Sequence, residues 1–400
     1  MKKISILYFG KINSLTGVSS VLKNIEIGFK NIPEYDLKIF SLDVNGKAKP
    51  ENFNKPLHKK SLIKQNIHFF LNKMSKSSAF IARFYAWLMY DRNAKNVVAK
   101  KGENLKDADI LFFHDFFTPF YFRKKFREIW NSKPKIVVLH SNGEILKMLF
   151  DQNPKLEQNE KSRHFYNCMG ETVIEEAQAL VFLSEGAASN FLNLYSQYKE
   201  KVFVVPNGLP DLGKTKFLSK SDSEKIRIVT VGTVCMRKGH DIIVDAMISL
   251  DFELRQNYEL YVIGDGPLLD VLKEKCDKNN INNIIFVGAS KEVDKYLSNA
   301  DVFLLASRDE GLPMAIIEAL RCKLPIIGTK VGGIPDMINE KNGWLIYPSL
   351  EELVVVFEEL ISRKKDIELM GEESYHIFKK RFSIEKMVSS YIDVFEKIEV

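Results

Sequence analysis

The sequence predicts an α/β protein of two doubly wound domains, each a parallel sheet covered by helices on both faces. Three observations carry this. Apolar, β-rich runs of strand length alternate with helical patterns along most of the 400 residues, as strands buried on both faces do. Eleven such runs exceed one comfortable sheet. The series breaks once, at "PNGLPDLGKTKFLSKSDSEK" (206–225), where Pro, Gly, Ser and charge make linker chemistry.

In chain order the first set of strands is "ISILYF" (4–9), "LKIFSL" (37–42), "DILFFH" (109–114), "KIVVLH" (135–140), "ALVFLS" (179–184) and "KVFVVP" (201–206). The second set is "IRIVTVG" (226–232), "ELYVIG" (259–264), "IIFVG" (284–288), "DVFLLAS" (301–307) and "LPIIGT" (324–329). The end of the chain, from "SLEELVVVFEELISRK" to "SIEKMVSSYIDVFEKI", is helical in pattern. The expected division is a domain over 1–208, a second over 209–375, and a helical tail, 376–400, that packs back on the first.

With 45% hydrophobic and 28% charged residues, the composition is that of a soluble globular protein. No window reaches the roughly 18 uninterrupted apolar residues of a membrane span. The start, "MKKISILYFGKIN", holds too short an apolar run for a signal segment and reads as a first strand. Cys168, Cys235, Cys276 and Cys322 are far apart with no CxxC pair, which implies neither a zinc site nor a disulfide framework. A reducing cytosol fits.

The net charge of +6 is uneven. Residues 1–200 hold 31 Lys/Arg against 20 Asp/Glu, whereas residues 201–400 hold 27 against 32. Residues 47–106 alone hold 14 basic side chains against Glu51, Asp91 and Glu103. Such a half suits an anionic surface or substrate.

Ligands of open parallel sheets bind beyond the carboxyl ends of the strands, so the loops there are where chemistry is expected. In "DVFLLASRDEGLPMAIIEALRC", strand, loop and helix follow one another, with Gly311 and Pro313 at the helix entry. Free amides in that first turn can cradle a phosphate. Glu310 sits in the loop and Glu318 about two turns into the expected helix, where a carboxylate can accept paired hydrogen bonds from a ribose diol. The bland alternative is two solvated surface acids. In "VGTVCMRKGHDIIVDAM" (231–247), Arg237 and Lys238 read either as a solvated helix start or as cations for an anionic group.

Glu310 and Glu318 with seven residues between them, followed by "PIIGTKVGGIPDMI", resemble the signature of the retaining family-4 glycosyltransferases with the GT-B fold. "VIGDGPLLDVLKE" (262–274) and "NGWLIYP" (342–348) are similar to later parts of that family's donor domain. The resemblance covers essentially all of 201–350 and is thinner before residue 200. It implies two Rossmann-like domains facing an interdomain cleft. It also implies that Glu310 holds hydroxyls of the transferred sugar, Glu318 the nucleotide ribose, and Lys238 the diphosphate, with Arg237, Gly311, Leu312 and Pro313 beside them. Thr233 stands where the family has an arginine, and Arg237 or backbone amides would then compensate.

In the first half, Gly17 matches part of the family's glycine pair, whose partner here is Thr16, and the amides of Gly17 and Val18 would approach the diphosphate. His140 matches the family's cleft histidine and would touch the transferred sugar near the scissile bond. His114 and Asp115, in "LFFHDFF", are acceptor-side candidates. Ser184 and Asn207–Gly208 match family turns. "DAD" at 107–109 precedes a strand outside the donor half, so no metal ligand is assigned and no cofactor is expected.

The basic segment 62–101 mixes aromatics with lysines at helical spacing. Phe80, Phe84 and Leu88 share one stripe, with Ile81, Tyr85 and Met89 beside it. Much of the stripe is expected to be core, but an anionic membrane surface is a candidate partner through 47–106. No nucleic-acid reader motif appears.

The reading is a retaining glycosyltransferase moving a sugar, UDP-hexose or UDP-N-acetylhexosamine being favoured as donor, to a glycan or lipid-linked hydroxyl. A bacterial surface polysaccharide such as capsule or lipopolysaccharide is the expected setting, in the cytoplasm or peripheral to the inner face of the plasma membrane. A nucleotide-sugar epimerase on the same fold and a non-catalytic partner subunit are the alternatives.

Overall fold

The computed structural model describes residues 1–12, 17–46, 67, 70–211, 213 and 224–398. Thr16, much of the basic segment (47–66, 68 and 69) and most of the linker (212 and 214–223) lie outside the described residues.

The chain forms two compact units, Met1–Val205 with Val388–Val400, and Pro206–Met387. Residues 376–387 thus group with the second unit rather than with an independent tail. Tyr391 and Phe395, of the helix Ile384–Lys397, belong to the first unit, and within it their rings pack on Phe112. Phe395 also meets Phe29 and Tyr35.

The first unit holds a seven-stranded sheet, β1 (Lys2–Leu7), β2 (Tyr35–Phe40), β3 (Asn45–Gly46), β4 (Ile110–Phe113), β5 (Lys135–Leu139), β6 (Ala179–Phe182) and β7 (Val202–Val204), in the order β3-β2-β1-β4-β5-β6-β7. All neighbours are parallel except β2 and β3. The strands β4, β5 and β6 are buried at every residue, which is why they read as unbroken apolar runs rather than alternating ones.

The second unit holds six parallel strands, β8 (Ile226–Val231), β9 (Tyr258–Ile263), β10 (Ile284–Gly288), β11 (Val302–Leu305), β12 (Ile326–Thr329) and β13 (Gly343–Ile346), in the order β10-β9-β8-β11-β12-β13. Its core joins Ile228, Leu260, Leu304 and Ile327 to Ile243, Met247 and Phe357 from the covering helices. Each fully buried aliphatic side chain contributes about 2 kcal/mol.

In both sheets the chain builds outward from the first strand on one side, then crosses to the other. The reversal falls between β1 and β4 in one unit and between β8 and β11 in the other. Loops leaving these strand pairs run to opposite faces of the sheet, the place where open parallel sheets bind their ligands.

The segment 70–101 corrects one expectation. The helix Ala79–Ala86 turns Ala82, Tyr85 and Ala86 inward, whereas Phe80 is 82% exposed, Phe84 44% and Trp87 37%. Buried Asp91 explains the choice of face: it accepts from Tyr121 and Tyr166 at 2.8 and 2.9 Å and pairs with Arg83 at 3.1 Å. That network fixes the helix's rotation and leaves the Phe80–Phe84–Trp87 stripe outside.

Candidate active site

The switch point of the second sheet gathers the sequence's acidic and basic candidates. β8 leads through a tight turn, Met236–Lys238, into the helix His240–Ser249. β11 leads through 306–313 into the helix Met314–Arg321, with Pro313 at its N-cap. Lys238 comes from the first loop and Glu310 from the second, and their Nζ and Oε1 lie 2.5 Å apart. Ser307 donates to the same carboxylate oxygen at 2.7 Å. Arg237 Nη1 stands 3.6 Å from the other oxygen and donates to the Asp309 carbonyl at 2.7 Å. Glu310 is 6% exposed and Lys238 13%, so this is a sheltered pair rather than a surface one.

Close backbone approach sets this geometry. Gly239 has φ +70°, and a Cβ there would strike the Ala306 carbonyl. Gly332, at φ +54°, lies against the Glu310 carbonyl, and the Gly333 amide donates to Gly311 at 2.7 Å. The glycine pair after β12 therefore braces the Glu310 loop. Arg308 adds a two-pronged bond to Asp241, at 2.8 and 2.6 Å, tying the loop to the helix His240–Ser249. The sequence reading missed Ser307, Gly332, Gly333 and Arg308 as supports; the only signal was their place in the quoted motif.

The amides of Gly311, Leu312, Met314 and Ala315 donate to no group among the described residues. They open the helix beside Glu310 and Lys238, where unpaired N–H groups and the helix dipole favour an anion or a polar oxygen. Glu318 is the fifth residue of that helix, just over one turn in rather than two. Burial is the main cause that lifts its carboxyl to about 7, with Asp294 adding and Arg321 opposing. Thr233 is exposed and takes no part in the Glu310 contacts.

The first unit repeats the arrangement at its own switch point. Asp115, after β4, accepts from the Thr118 amide at 2.6 Å and its hydroxyl at 2.7 Å, both in the first turn of the helix Phe117–Lys125. It also accepts from the Phe9 amide of the loop after β1, while burial raises its carboxyl to about 7. Asp115 thus joins two loops. His114 and His140 follow β4 and β5, and His114 Nδ1 lies 3.1 Å from His140 Nε2. Gly17 opens the helix Gly17–Phe29 with Val18 next, and a Cβ at Gly17 would meet nothing within 4 Å. Among the described residues, no packing contact therefore requires glycine there.

Among the described residues, no group of three or more His, Cys, Asp or Glu side chains is placed to hold a metal ion. No described helix is long and apolar enough to cross a membrane.

Residues 213–377 match the family described as "Glycosyl transferases group 1". The second unit is a domain of that family, as its motifs imply. Over 175 residues the chain is 33% identical to an uncharacterized glycosyltransferase of Methanocaldococcus jannaschii, covering 42% of this chain and 47% of that one. Over 180 residues it is 31% identical to the N-acetyl-alpha-D-glucosaminyl L-malate synthase of Bacillus anthracis, covering 44% and 46%. The chain spans about half the length of these curated relatives. Across both units the fold is GT-B: Anabaena HepE, solved in complex with UDP, superimposes with a TM-score of 0.68 at 15% identity, over 99% of this chain and 100% of that one.

Proposed function

We propose that this protein is a retaining glycosyltransferase that moves a sugar from a nucleotide diphosphate onto a hydroxyl of a glycan or lipid-linked acceptor. The observation that carries the reading is the Lys238–Glu310 pair at 2.5 Å, set beside four unpaired amides at a helix start. An ammonium has three donors, so Lys238 can hold Glu310 and still meet a diphosphate oxygen. Glu310 keeps lone pairs for sugar hydroxyls. Glu318, once ionised, accepts from the ribose diol. In the reaction the bond from the anomeric carbon to phosphate breaks, and the acceptor oxygen bonds to that carbon on the same face. The acceptor proton passes to the departing phosphate oxygen. Lys238, Arg237 and the amides after Glu310 stabilise the charge that develops there. Gly17, Val18 and His140 are the first unit's candidates for the diphosphate and the sugar.

Uridine diphosphate sugars are the favoured donors, since HepE was solved with UDP and with UDP-glucose. No metal is assigned a role, and transfer is expected to survive chelation by EDTA. The setting we assign is surface polysaccharide synthesis at the inner face of the plasma membrane. The membrane part of it is supported by the exposed Phe80, Phe84 and Trp87, with exposed Lys73 and Lys76 shortly before them in the chain. A nucleotide-sugar panel read by thermal shift tests the donor, since a ligand of the folded form raises its melting temperature. Nucleotide release that depends on an added acceptor supports transfer. Conversion of the sugar nucleotide alone to its epimer, or no turnover by purified protein with a bound donor, overturns it.

A further inference from the structure

His114 and His140 end neighbouring parallel strands, and their rings meet with centroids 5.4 Å apart. Phe112 lies 4.9 Å from His114, whose residue is 2% exposed. Two imidazolium ions cannot share such a place, because burial and like charge both oppose them. Burial holds His140 down at about 4. Burial, then the neighbouring His140, holds His114 well below the ordinary histidine value. Each ring is therefore neutral, with one N–H and one lone pair, and one ring must donate across the 3.1 Å contact.

Two arrangements satisfy that contact. If His140 donates from Nε2, the proton of His114 sits on its own Nε2. That atom is buried without a partner among the described residues, so a donor would be stranded. If His114 donates from Nδ1, only a lone pair is left there. Buried N–H groups without partners are rarer than under-used acceptors, which selects the second arrangement. The proton of His140 then sits on Nδ1, which makes no hydrogen bond among the described residues.

We propose that His114 is a positioning residue that locks His140 as the Nδ1–H tautomer, so that His140 offers a hydrogen-bond donor, and no base, to an oxygen of the bound sugar nucleotide. This rests on the proposed function for its ligand. It also agrees with the proposed route of the acceptor proton to the departing phosphate oxygen, since His140 has no free lone pair to take it.

Long-range proton–nitrogen correlation on the full chain labelled with nitrogen-15 reads the tautomer without any substrate, with His140→Gln assigning the signals. At neutral pH, His140 is expected to show a protonated Nδ1 and an unprotonated Nε2. In His114→Phe the Nε2 signal should move toward the protonated value. In His114→Asn, whose amide nitrogen overlays Nδ1 of the histidine and can donate, the original pattern should persist. A wild-type His140 protonated at Nε2 overturns the proposal, even if the Phe variant fails to fold. So does an unchanged pattern in a folded His114→Phe. Thermal shift with the nucleotide-sugar panel on the same samples separates the two claims. An intact tautomer without donor binding overturns the ligand and leaves the lock, whereas donor binding with the wrong tautomer overturns the lock alone.

Discussion

The Lys238 ammonium and the Glu310 carboxylate meet at 2.5 Å across the two loops that flank the sheet's switch point. Each partner is sheltered, so removing one leaves the other charge short of compensation. Breaking such a pair costs about 3 kcal/mol, and less when both members go. Lys238→Met and Glu310→Gln should therefore each lower stability by roughly that amount, with the double variant losing less than the sum. Transfer should fall about 100-fold or more in each single variant and stay low in the double. Urea unfolding and nucleotide release on the same samples check this; a double variant that regains transfer would show that the pair only braces the loops.

Glu318 gives a test by pH. Its folded carboxyl is raised to about 7 from 4.5, so its contribution to stability is full below 4.5 and is lost as pH rises through 7. Glu318→Gln keeps the neutral form and should raise the melting temperature of the free protein at pH 8, with the gain shrinking toward pH 4.5. Donor affinity should move the other way. In the wild type it tightens as pH rises from 6 to 8, because the ribose diol needs the ionised carboxylate. In the Gln variant that dependence should vanish. Calorimetric titration at three pH values measures it, and a flat wild-type profile would remove Glu318 from the ribose.

Much of this was legible in the sequence, for physical reasons. The eleven apolar runs correspond to strands because parallel strands covered on both faces have no polar side to interrupt them. The two-residue β3 left no such trace; it exists because Ile39 and Phe40 of β2 pair with Gly46 and Asn45. Glu310 and Lys238 were recognisable as site candidates from motif position, yet their contact was not, since it depends on β11 lying beside β8. The same holds for His114 and His140, which meet because β4 pairs with β5. Periodicity showed that Phe80 and Phe84 share a stripe but could not say which stripe faces inward. That choice belongs to Asp91, which counts as one acid in a basic segment until its burial and its Tyr121 and Tyr166 partners are seen.

Buried His114 and His240, with half-buried His140, predict acid sensitivity. His140 and His240 are each held at about 4 by burial, and His114 lies well below its ordinary value. A lowered folded pKa means stability that is full above 6.5, where the unfolded chain is also neutral, and lost as pH falls through the folded values. Between pH 6.5 and 4 the melting temperature should drop steeply. His240→Phe, which cannot be protonated, should flatten part of that fall for the second unit. Melting curves at half-unit pH steps measure the slope, and an identical slope in the variant would mean that His240 is not held neutral by the fold.

The exposed stripe predicts a salt-sensitive attachment to lipid. Phe80, Phe84 and Trp87 are spaced four and three residues apart along one helical face, and Phe84 and Trp87 stack at 5.9 Å. Phe80 is largely exposed, whereas Phe84 and Trp87 are half-buried and stacked. Phe80→Ser should therefore leave the melting temperature nearly unchanged. The triple variant with Phe84→Ser and Trp87→Ser should lower it by several degrees while still folding. Moving one such ring from water into the acyl boundary contributes about 1.5–3 kcal/mol when complete. Partial insertion of three makes a combined loss on the order of 100-fold in partitioning a conservative expectation. The exposed Lys73 and Lys76 add about 1 kcal/mol each against anionic headgroups, and salt screens that share. Co-sedimentation with phosphatidylglycerol vesicles, phosphatidylcholine vesicles and a salt series separates the two contributions: the triple variant should lose binding at all salt concentrations, and the wild type should lose it as salt rises. Equal binding of wild type to both lipids, or a triple variant that binds as the wild type does, would mean that the stripe faces something other than an anionic membrane.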